Sequence, residues 1–113
     1  MANTRRFTDG LPGEVRDLMA GLGANLRIAR KRRKMSVAAL AERLMVSAPT
    51  VRKLEAGQPT VSLGVLATAL WVLGLSHQFT SLAAPEADEA GLRAELRRLA
   101  GQRKRGAGDD LDF

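Results

Sequence analysis

Cationic hydrogen-bond donors are the chemically distinctive side chains of this chain, whereas groups for covalent catalysis are scarce. Arg52 and Lys53 are adjacent, and their guanidinium and ammonium groups can donate to phosphate oxygens or to the O6 and N7 acceptors of guanine. His77 is the only histidine, and the chain has no cysteine or tyrosine with which it could complete a nucleophilic site. We therefore expect binding chemistry and a protein that is not an enzyme.

The sequence also predicts no cofactor and no metal. Gly21 and Gly23 interrupt a helical pattern instead of following a strand, so they do not form a phosphate-cradling loop. Potential metal ligands do not occur at the spacings of known metal sites. An absence of cysteine excludes disulfides, and no apolar run is long enough for a membrane span or a signal peptide. These features predict a cytoplasmic protein without a membrane partner.

Net charge points to a polyanionic partner. The chain has 18 basic and 12 acidic residues, a formal charge of +6. Residues 1 to 84 hold 12 of the basic and 5 of the acidic residues, so the positive field belongs to this part of the chain. Nucleic acid is the commonest partner of such a field, and an anionic membrane surface is the alternative.

Two short helices joined by a tight turn are predicted for residues 36 to 57. Ser36 and Ser47 are N-capping residues, and Pro49 falls in the first turn of the second helix, where its missing N–H is harmless. Gly57 ends that helix because glycine readily adopts the left-handed conformation. Apolar residues at spacings of three and four give each helix one buried face: Leu40, Ala41, Leu44, Val51 and Leu54.

Helical patterns continue on both sides of this pair. Gly21 and Gly23 predict a break between a leader helix and a first core helix that begins near Leu22. A further helix follows Ser62, and a short helix spans residues 76 to 82. The helix that follows Ser62 is expected to bury a stripe of leucines: Leu63, Leu66, Leu70 and Leu73.

The predicted fold class is all-α, because strand signals are almost absent. We expect residues 1–21 to form an arm, unstructured to residue 10, followed by the leader helix. Residues 22–84 are expected to form a five-helix core domain. Residues 85–113 form a helix over 86–100 and a flexible tail with an acidic end.

The segment from Leu22 to Leu82 resembles an Xre-type, phage-repressor-like helix-turn-helix DNA-binding domain. The resemblance rests on ARKRRKMS, the helix pair, LEAGQPTVS and the leucine-rich helix that closes on LGLS. The flanking residues, including APEADEAGL and the terminal DDLDF, resemble HipB-like antitoxins, which pair with HipA-like kinase toxins. The resemblance implies a bacterial, nucleoid-associated protein that binds double-stranded DNA.

This resemblance assigns the start of the second helix to the major groove. The base-facing positions are then Ala48, Pro49, Arg52 and Lys53. Many relatives carry glutamine at the head of both helices, where this chain has Val37 and Ala48. Ser36, Ser47 and Thr50 are candidates for phosphate contact, and both serines are equally well explained by capping alone.

The resemblance also implies an ion pair between Arg30 and Glu55. Glu55 lies on the second helix of the pair, called the reading helix below because it is assigned to the major groove. A carboxylate there would repel DNA phosphates, so a structural role for Glu55 is expected. In related domains the residue at this position pairs with the arginine that corresponds to Arg30. We predict a partly buried bridge that fixes the first core helix against the reading helix.

A basic cluster precedes the helix pair. Five consecutive basic residues, 30 to 34, exceed what compensation of the helix dipole needs, so we expect phosphate contacts, with a solvated face as the alternative. The predicted phosphate-binding residues of this cluster are Arg27, Lys31, Arg32, Arg33 and Lys34.

Trp71, the only tryptophan, lies off the leucine stripe of its helix and is predicted to face outward. It is expected to form a dimer or partner interface with Leu75, Phe79 and Leu82, and folding over the edge of the core is the alternative. A dimer is expected because one such domain contacts few bases, and two-fold related copies read half-sites about 34 Å apart.

The C-terminus combines acidic residues with two apolar anchors: Asp109, Asp110, Leu111, Asp112 and Phe113. It is predicted to dock on a partner and to order on binding, while shielding of the basic domain and an inert terminus remain open.

Two functions from different classes remain. The first is a dimeric repressor that binds a palindromic operator, and more narrowly a type II antitoxin that regulates its own operon and binds a HipA-like toxin. The second is an architectural or interaction protein that binds nucleic acid without sequence preference.

Overall fold

The computed structural model describes residues 7 to 104, and all regular secondary structure within this range is helical. Apart from a helical segment at residues 7 to 9, the α-helices are α1 (Gly13–Arg32), α2 (Val37–Leu44), α3 (Ala48–Glu55), α4 (Leu63–Val72) and α5 (Glu89–Lys104). Two 3₁₀ segments, Ser76–Ser81 and Pro85–Ala87, lie between α4 and α5. The predicted all-α class is confirmed for the described residues. The chain divides into two compact units, one ending at Phe79 and one beginning at Thr80.

Capping hydrogen bonds start the two central helices where the sequence predicts. The Ser36 hydroxyl accepts from the backbone N–H of Ala39 at 3.0 Å, and the Ser47 hydroxyl accepts from that of Thr50 at 3.3 Å. Between the helices, Met45 adopts a left-handed conformation with φ +58°. This conformation lets the N–H of Val46 donate to the Ala41 carbonyl, closing the turn.

The core of the first unit is built from small and aliphatic side chains of α1 to α4. Leu40 and Val51, at facing positions of α2 and α3, are almost completely buried. The other buried members are Leu26, Ala29, Ala41, Leu44, Leu54, Ala69, Leu70 and Leu73. The leucine stripe predicted for α4 is wrong at Leu63, which is exposed, while Ala69, outside the predicted stripe, is completely buried. Nearly every side of α4 is apolar, so leucine spacing alone does not identify its buried face.

Helix α1 is continuous, and the predicted separation of a leader helix from a first core helix is wrong. Gly23 lies where α1 crosses the end of α3, and a Cβ atom there would be 2.7 Å from the backbone nitrogen of Gly57 and even nearer the Glu55 carbonyl oxygen. Gly21 has nothing near its Cβ position within 4 Å. Gly23 therefore permits close packing of backbones instead of marking a break.

Gly57 supplies the other side of this contact. It ends α3 in the left-handed region with φ +73°, as predicted, and the N–H of Gln58 donates to the Lys53 carbonyl at 3.0 Å. A Cβ atom at Gly57 would also collide with the backbone of Met19 in α1. Two conditions, a left-handed φ and close approach, thus require glycine at this position.

The second unit contains α5, which is longer than predicted. Asp88 caps it by accepting from the N–H of Gly91 at 3.0 Å, and the helix continues to Lys104 instead of ending near residue 100. Basic residues Arg103 and Lys104 in its last turn favour this extension through the helix dipole. Residues 7 to 9 are also helical, so the prediction of an unstructured arm through residue 10 is wrong there. The tail Asp109 to Phe113 and residues 1 to 6 lie outside the described residues.

The two glycines of α1 should respond oppositely to alanine. Gly23→Ala should lower the free energy of unfolding by about 1 to 3 kcal/mol, because the new methyl group meets backbone that cannot move aside. Gly21→Ala, the matched control, should raise it by about 0.5 to 1 kcal/mol, since alanine suits an exposed helix position better. Urea denaturation followed by circular dichroism would measure both. Equal stabilisation by the two substitutions would show that the close contact is not limiting.

Candidate nucleic-acid interface

The burial pattern of α3 leaves its polar face to solvent. Val51 and Leu54 are anchored in the core, and this orientation leaves Pro49, Arg52 and Lys53 exposed. Ala48 and Thr50 are half-buried at the start of the helix. The four residues predicted to face bases therefore share the exposed and half-exposed surface of one short helix.

Hydroxyl groups at the helix starts already have intramolecular partners. Ser36 caps α2, and Ser47 both caps α3 and lies 2.9 Å from the Thr50 hydroxyl oxygen. The capping interpretation of both serines is thus confirmed. Phosphate contact by Ser36, Ser47 and Thr50 remains a prediction, in which a phosphate would accept from hydroxyl or backbone N–H groups at these helix starts.

The predicted ion pair between Arg30 and Glu55 is present and bidentate. The Arg30 Nε lies 2.6 Å from Glu55 Oε2, and Nη2 lies 3.0 Å from Oε1. Their side chains are only 8% and 7% exposed. The hydrogen bond to Glu55 raises the pKa of Arg30 above its ordinary value, although burial acts in the opposite direction. Arg30 therefore remains charged, and the pair joins α1 to the last residue of α3.

Arg30 also organises the loop before α2. Its Nη1 donates to the carbonyl of Met35 at 2.8 Å, while the Met35 N–H donates to the Arg30 carbonyl at 3.2 Å. Between these two residues, Lys34 adopts a left-handed conformation with φ +54°. One arginine consequently positions the end of α3, the end of α1 and the approach to α2.

A surface cleft of about 350 Å³ brings together residues to which the sequence assigns different roles. It is lined by Arg27, Arg30, Val37, Arg52, Glu55 and Ala56. Because Arg30 and Glu55 neutralise each other, the uncompensated charges at the cleft are those of Arg27 and Arg52. No local signal indicates that Arg27 and Arg52, 25 positions apart in the sequence, share one cleft.

The basic cluster at the end of α1 is exposed throughout, from Lys31 to Lys34. Arg33 differs from the others because its Nη1 donates to the Ala29 carbonyl at 2.7 Å, in the last turn of its own helix. Sequence reasoning missed this helix capping by Arg33, because five adjacent basic residues look alike. Lys31 and Arg32 are the better candidates for phosphate contact.

Trp71 projects from α4, as predicted, and is 70% exposed. Leu75 and Phe79, its predicted partners in an interface, are half-buried and pack against the core of the first unit. Leu82 belongs to the second unit and is 62% exposed. Burial thus divides the predicted interface set into two exposed side chains, Trp71 and Leu82, and two that also support packing.

Two features, a cluster of metal ligands and a membrane-spanning helix, are not found in residues 7 to 104. Within that range, no group of three or more histidine, aspartate or glutamate side chains could hold a metal ion. No helix in the described part of the chain is long and apolar enough to cross a membrane.

Comparison with known proteins identifies one domain. Residues 21 to 80 match the family model described as a helix-turn-helix domain. This match covers α1 from Gly21 onward, all of α2, α3 and α4, and the first 3₁₀ segment almost to its end. No curated protein and no solved structure is similar enough to this chain to count as a match.

Removing one member of the Arg30–Glu55 pair should strongly destabilise the fold. Glu55→Ala should lower the free energy of unfolding by about 3 to 5 kcal/mol, because Arg30 would remain buried and charged without its partner. The double variant Arg30→Met/Glu55→Met should lose less than the sum of its single substitutions, since no buried charge remains. Urea denaturation would measure this double-mutant cycle. An unchanged midpoint for Glu55→Ala would contradict a stabilising bridge.

Proposed function

Because the chain belongs to the helix-turn-helix domain family, we propose that this DNA-binding protein is a sequence-specific transcriptional repressor. The observation that carries the proposal is the orientation of α3, whose buried Val51 and Leu54 turn Arg52 and Lys53 outward, with Arg52 at the same cleft as Arg27. Occlusion of a promoter by the bound domain would be the mechanism of repression.

Base recognition is assigned to the first two turns of α3. Arg52 and Lys53 donate hydrogen bonds to guanine O6 and N7, and Ala48 and Pro49 offer apolar contact to a thymine methyl group. The absence of glutamine at Val37 and Ala48 removes two amide groups that could contact adenine or the backbone. Specificity in this proposal consequently rests mainly on the two basic side chains.

Phosphate contacts are assigned to the residues around this reading surface. Lys31, Arg32 and Lys34 are exposed at the end of α1, and Arg27 lies at the cleft beside α3. Arg33 retains donors beyond the one that caps Ala29. Ser36, Ser47 and Thr50 complete the set at the starts of α2 and α3. These contacts fix the register of the domain on DNA without reading its sequence.

The repressor is proposed to act as a homodimer on a palindromic operator. One domain presents few base-reading side chains, whereas two copies related by a two-fold axis present twice as many. Trp71, supported by the half-buried Leu75 and Phe79 of its own unit, and Leu82 in the second unit are separate candidates for a dimer or partner contact.

Within this proposal, the narrower function is that of a type II antitoxin that regulates its own operon. The resemblance of its flanking residues to HipB-like antitoxins supports this narrower function. A HipA-like kinase toxin would be the protein partner. Asp109 to Phe113 would supply a docking peptide with acidic residues and two apolar anchors.

A second candidate is a nucleic-acid-binding architectural protein without sequence preference. It is favoured by Val37 and Ala48, where glutamine is frequent in related domains, and by the density of basic residues around α1. Such a protein would bind through phosphate contacts and DNA shape alone.

Selection of bound fragments from random double-stranded DNA separates the two candidates. A repressor dimer should enrich a palindrome with half-sites one helical turn apart. Arg52→Ala should lose preference at one position of each half-site, by about 1 to 3 kcal/mol against the wrong base. Arg93→Ala, an exposed arginine of α5, is the matched control and should retain the wild-type motif. Failure of the wild-type protein to enrich any sequence would favour the architectural candidate.

The salt dependence of DNA affinity should identify the phosphate-binding cations. Lys31→Gln/Arg32→Gln should reduce the slope of log K against log salt by about 0.9 for each phosphate that is no longer neutralised, because fewer counterions are released. Arg93→Gln/Arg97→Gln removes the same charge from α5 and should leave the slope nearly unchanged. Fluorescence anisotropy with a fixed duplex at several salt concentrations would measure the slopes. Equal slopes for both pairs of substitutions would refute the assignment of Lys31 and Arg32.

A further inference from the structure

One face of α5 carries a row of leucines between two opposite charges. The row consists of Glu89, Leu92, Leu96, Leu99 and Arg103, which are spaced alternately by three and four residues. Side chains with this spacing lie along one face of a helix. Leu92 and Leu96 are 53% and 54% exposed and Leu99 is half-buried, in a helix without any fully buried residue. Exposed leucines at regular helical spacing indicate a surface that pairs with another helix.

The order of charges along this face is symmetric about Leu96. Glu89 precedes Leu96 by seven residues and Arg103 follows it by seven, so each charge lies about 10.5 Å along the axis from the central leucine. A rotation of 180° about an axis through Leu96, perpendicular to the helix, therefore places an acidic end opposite a basic end.

We propose that α5 pairs with α5 of a second copy of this chain, antiparallel and with Leu96 at the two-fold axis. In this arrangement Glu89 of each copy faces Arg103 of the other, and leucines of the two copies pack between these ion pairs. The contact is isologous, so it closes with two copies. The opposed helix dipoles also favour an antiparallel arrangement.

Charge complementarity favours an antiparallel second copy of α5 over a parallel pair and over an anionic membrane. A parallel pair would place Glu89 against Glu89 and Arg103 against Arg103, and such like-charge contacts are destabilising. An anionic membrane would meet the carboxylate of Glu89 on the same face as the leucines, and its headgroups would repel that charge. A second antiparallel copy satisfies both ends and the apolar middle at once.

The α5 pairing can be tested separately from DNA recognition, because self-association is measured without DNA. Where both hold, α5 provides the two-fold contact between two DNA-reading units. Dimers that persist in Leu96→Asp and still bind DNA would contradict the pairing alone. Loss of DNA binding in a chain that still dimerises would contradict the proposed function alone.

Exchange of the terminal charges tests the antiparallel register. In sedimentation equilibrium of the full chain, Glu89→Arg or Arg103→Glu alone should raise the dimer dissociation constant at least about tenfold, because each creates two like-charge contacts per dimer. The double variant Glu89→Arg/Arg103→Glu should return to within about threefold of wild type. Helix stability cannot cause this rescue, since the double variant opposes the helix dipole at both ends. Failure of the double variant to recover would overturn the register.

A substitution at the centre tests the apolar contact. Leu96→Asp should raise the dissociation constant by about a hundredfold or more, because it buries two carboxylates at the two-fold axis. Ala94→Asp introduces the same side chain on the opposite, exposed side of α5 and should have little effect. Circular dichroism of both variants would verify that α5 remains helical. A wild-type chain that stays monomeric at about 100 µM, or dimers that persist in Leu96→Asp, would overturn the proposal.

Discussion

The bidentate hydrogen bonds between Arg30 and Glu55 are the interaction on which the arrangement of the first unit depends. Arg30 is the most deeply buried charged residue in the described part of the chain. Its guanidinium group contacts Glu55 in α3 and the Met35 carbonyl before α2, so one planar group joins three segments. A buried ion pair gives little net stability compared with apolar packing, but its fixed fork geometry specifies one orientation of α3.

Backbone packing supports the same orientation from the other end of the crossing. Gly23 and Gly57 allow α1 and the end of α3 to approach until no space for a Cβ atom is left. Gly23 and Arg30 lie seven residues apart on α1, and both contact the last turn of α3 or the residues just after it. The reading helix is thereby held by two contacts, the glycine crossing and the Arg30–Glu55 ion pair. Added side-chain volume would disrupt the first contact, and loss of a charge would disrupt the second.

Local signals in the sequence are sufficient to predict α2, α3 and α4 but insufficient for several of the contacts that these helices make. Ser36 and Ser47 mark helix starts through short-range hydrogen bonds, so their caps follow directly from residue type and spacing. Gly21 and Gly23 look equivalent in a sequence, because a glycine reveals the conformations it permits and not the neighbours it meets. Leucine spacing likewise assigns Leu63 to the core, whereas Ala69 is the residue that is buried. The spacing of large apolar residues does not show where a small side chain is needed. The Arg30–Glu55 pair is predictable only through family resemblance, as its partners lie 25 positions apart.

The continuity of α1 has a mechanical consequence. As a single helix of 20 residues, Gly13–Arg32 is a rod about 30 Å long without an internal joint. A force or a bound molecule at its exposed N-terminal half, around Leu18, would tilt the whole rod instead of being absorbed by a hinge near Gly21. The helix would tilt about its tight crossing with the end of α3 at Gly23. On the other side of that crossing, α1 carries Arg30, which binds Glu55 of α3, and the basic residues that follow Arg30.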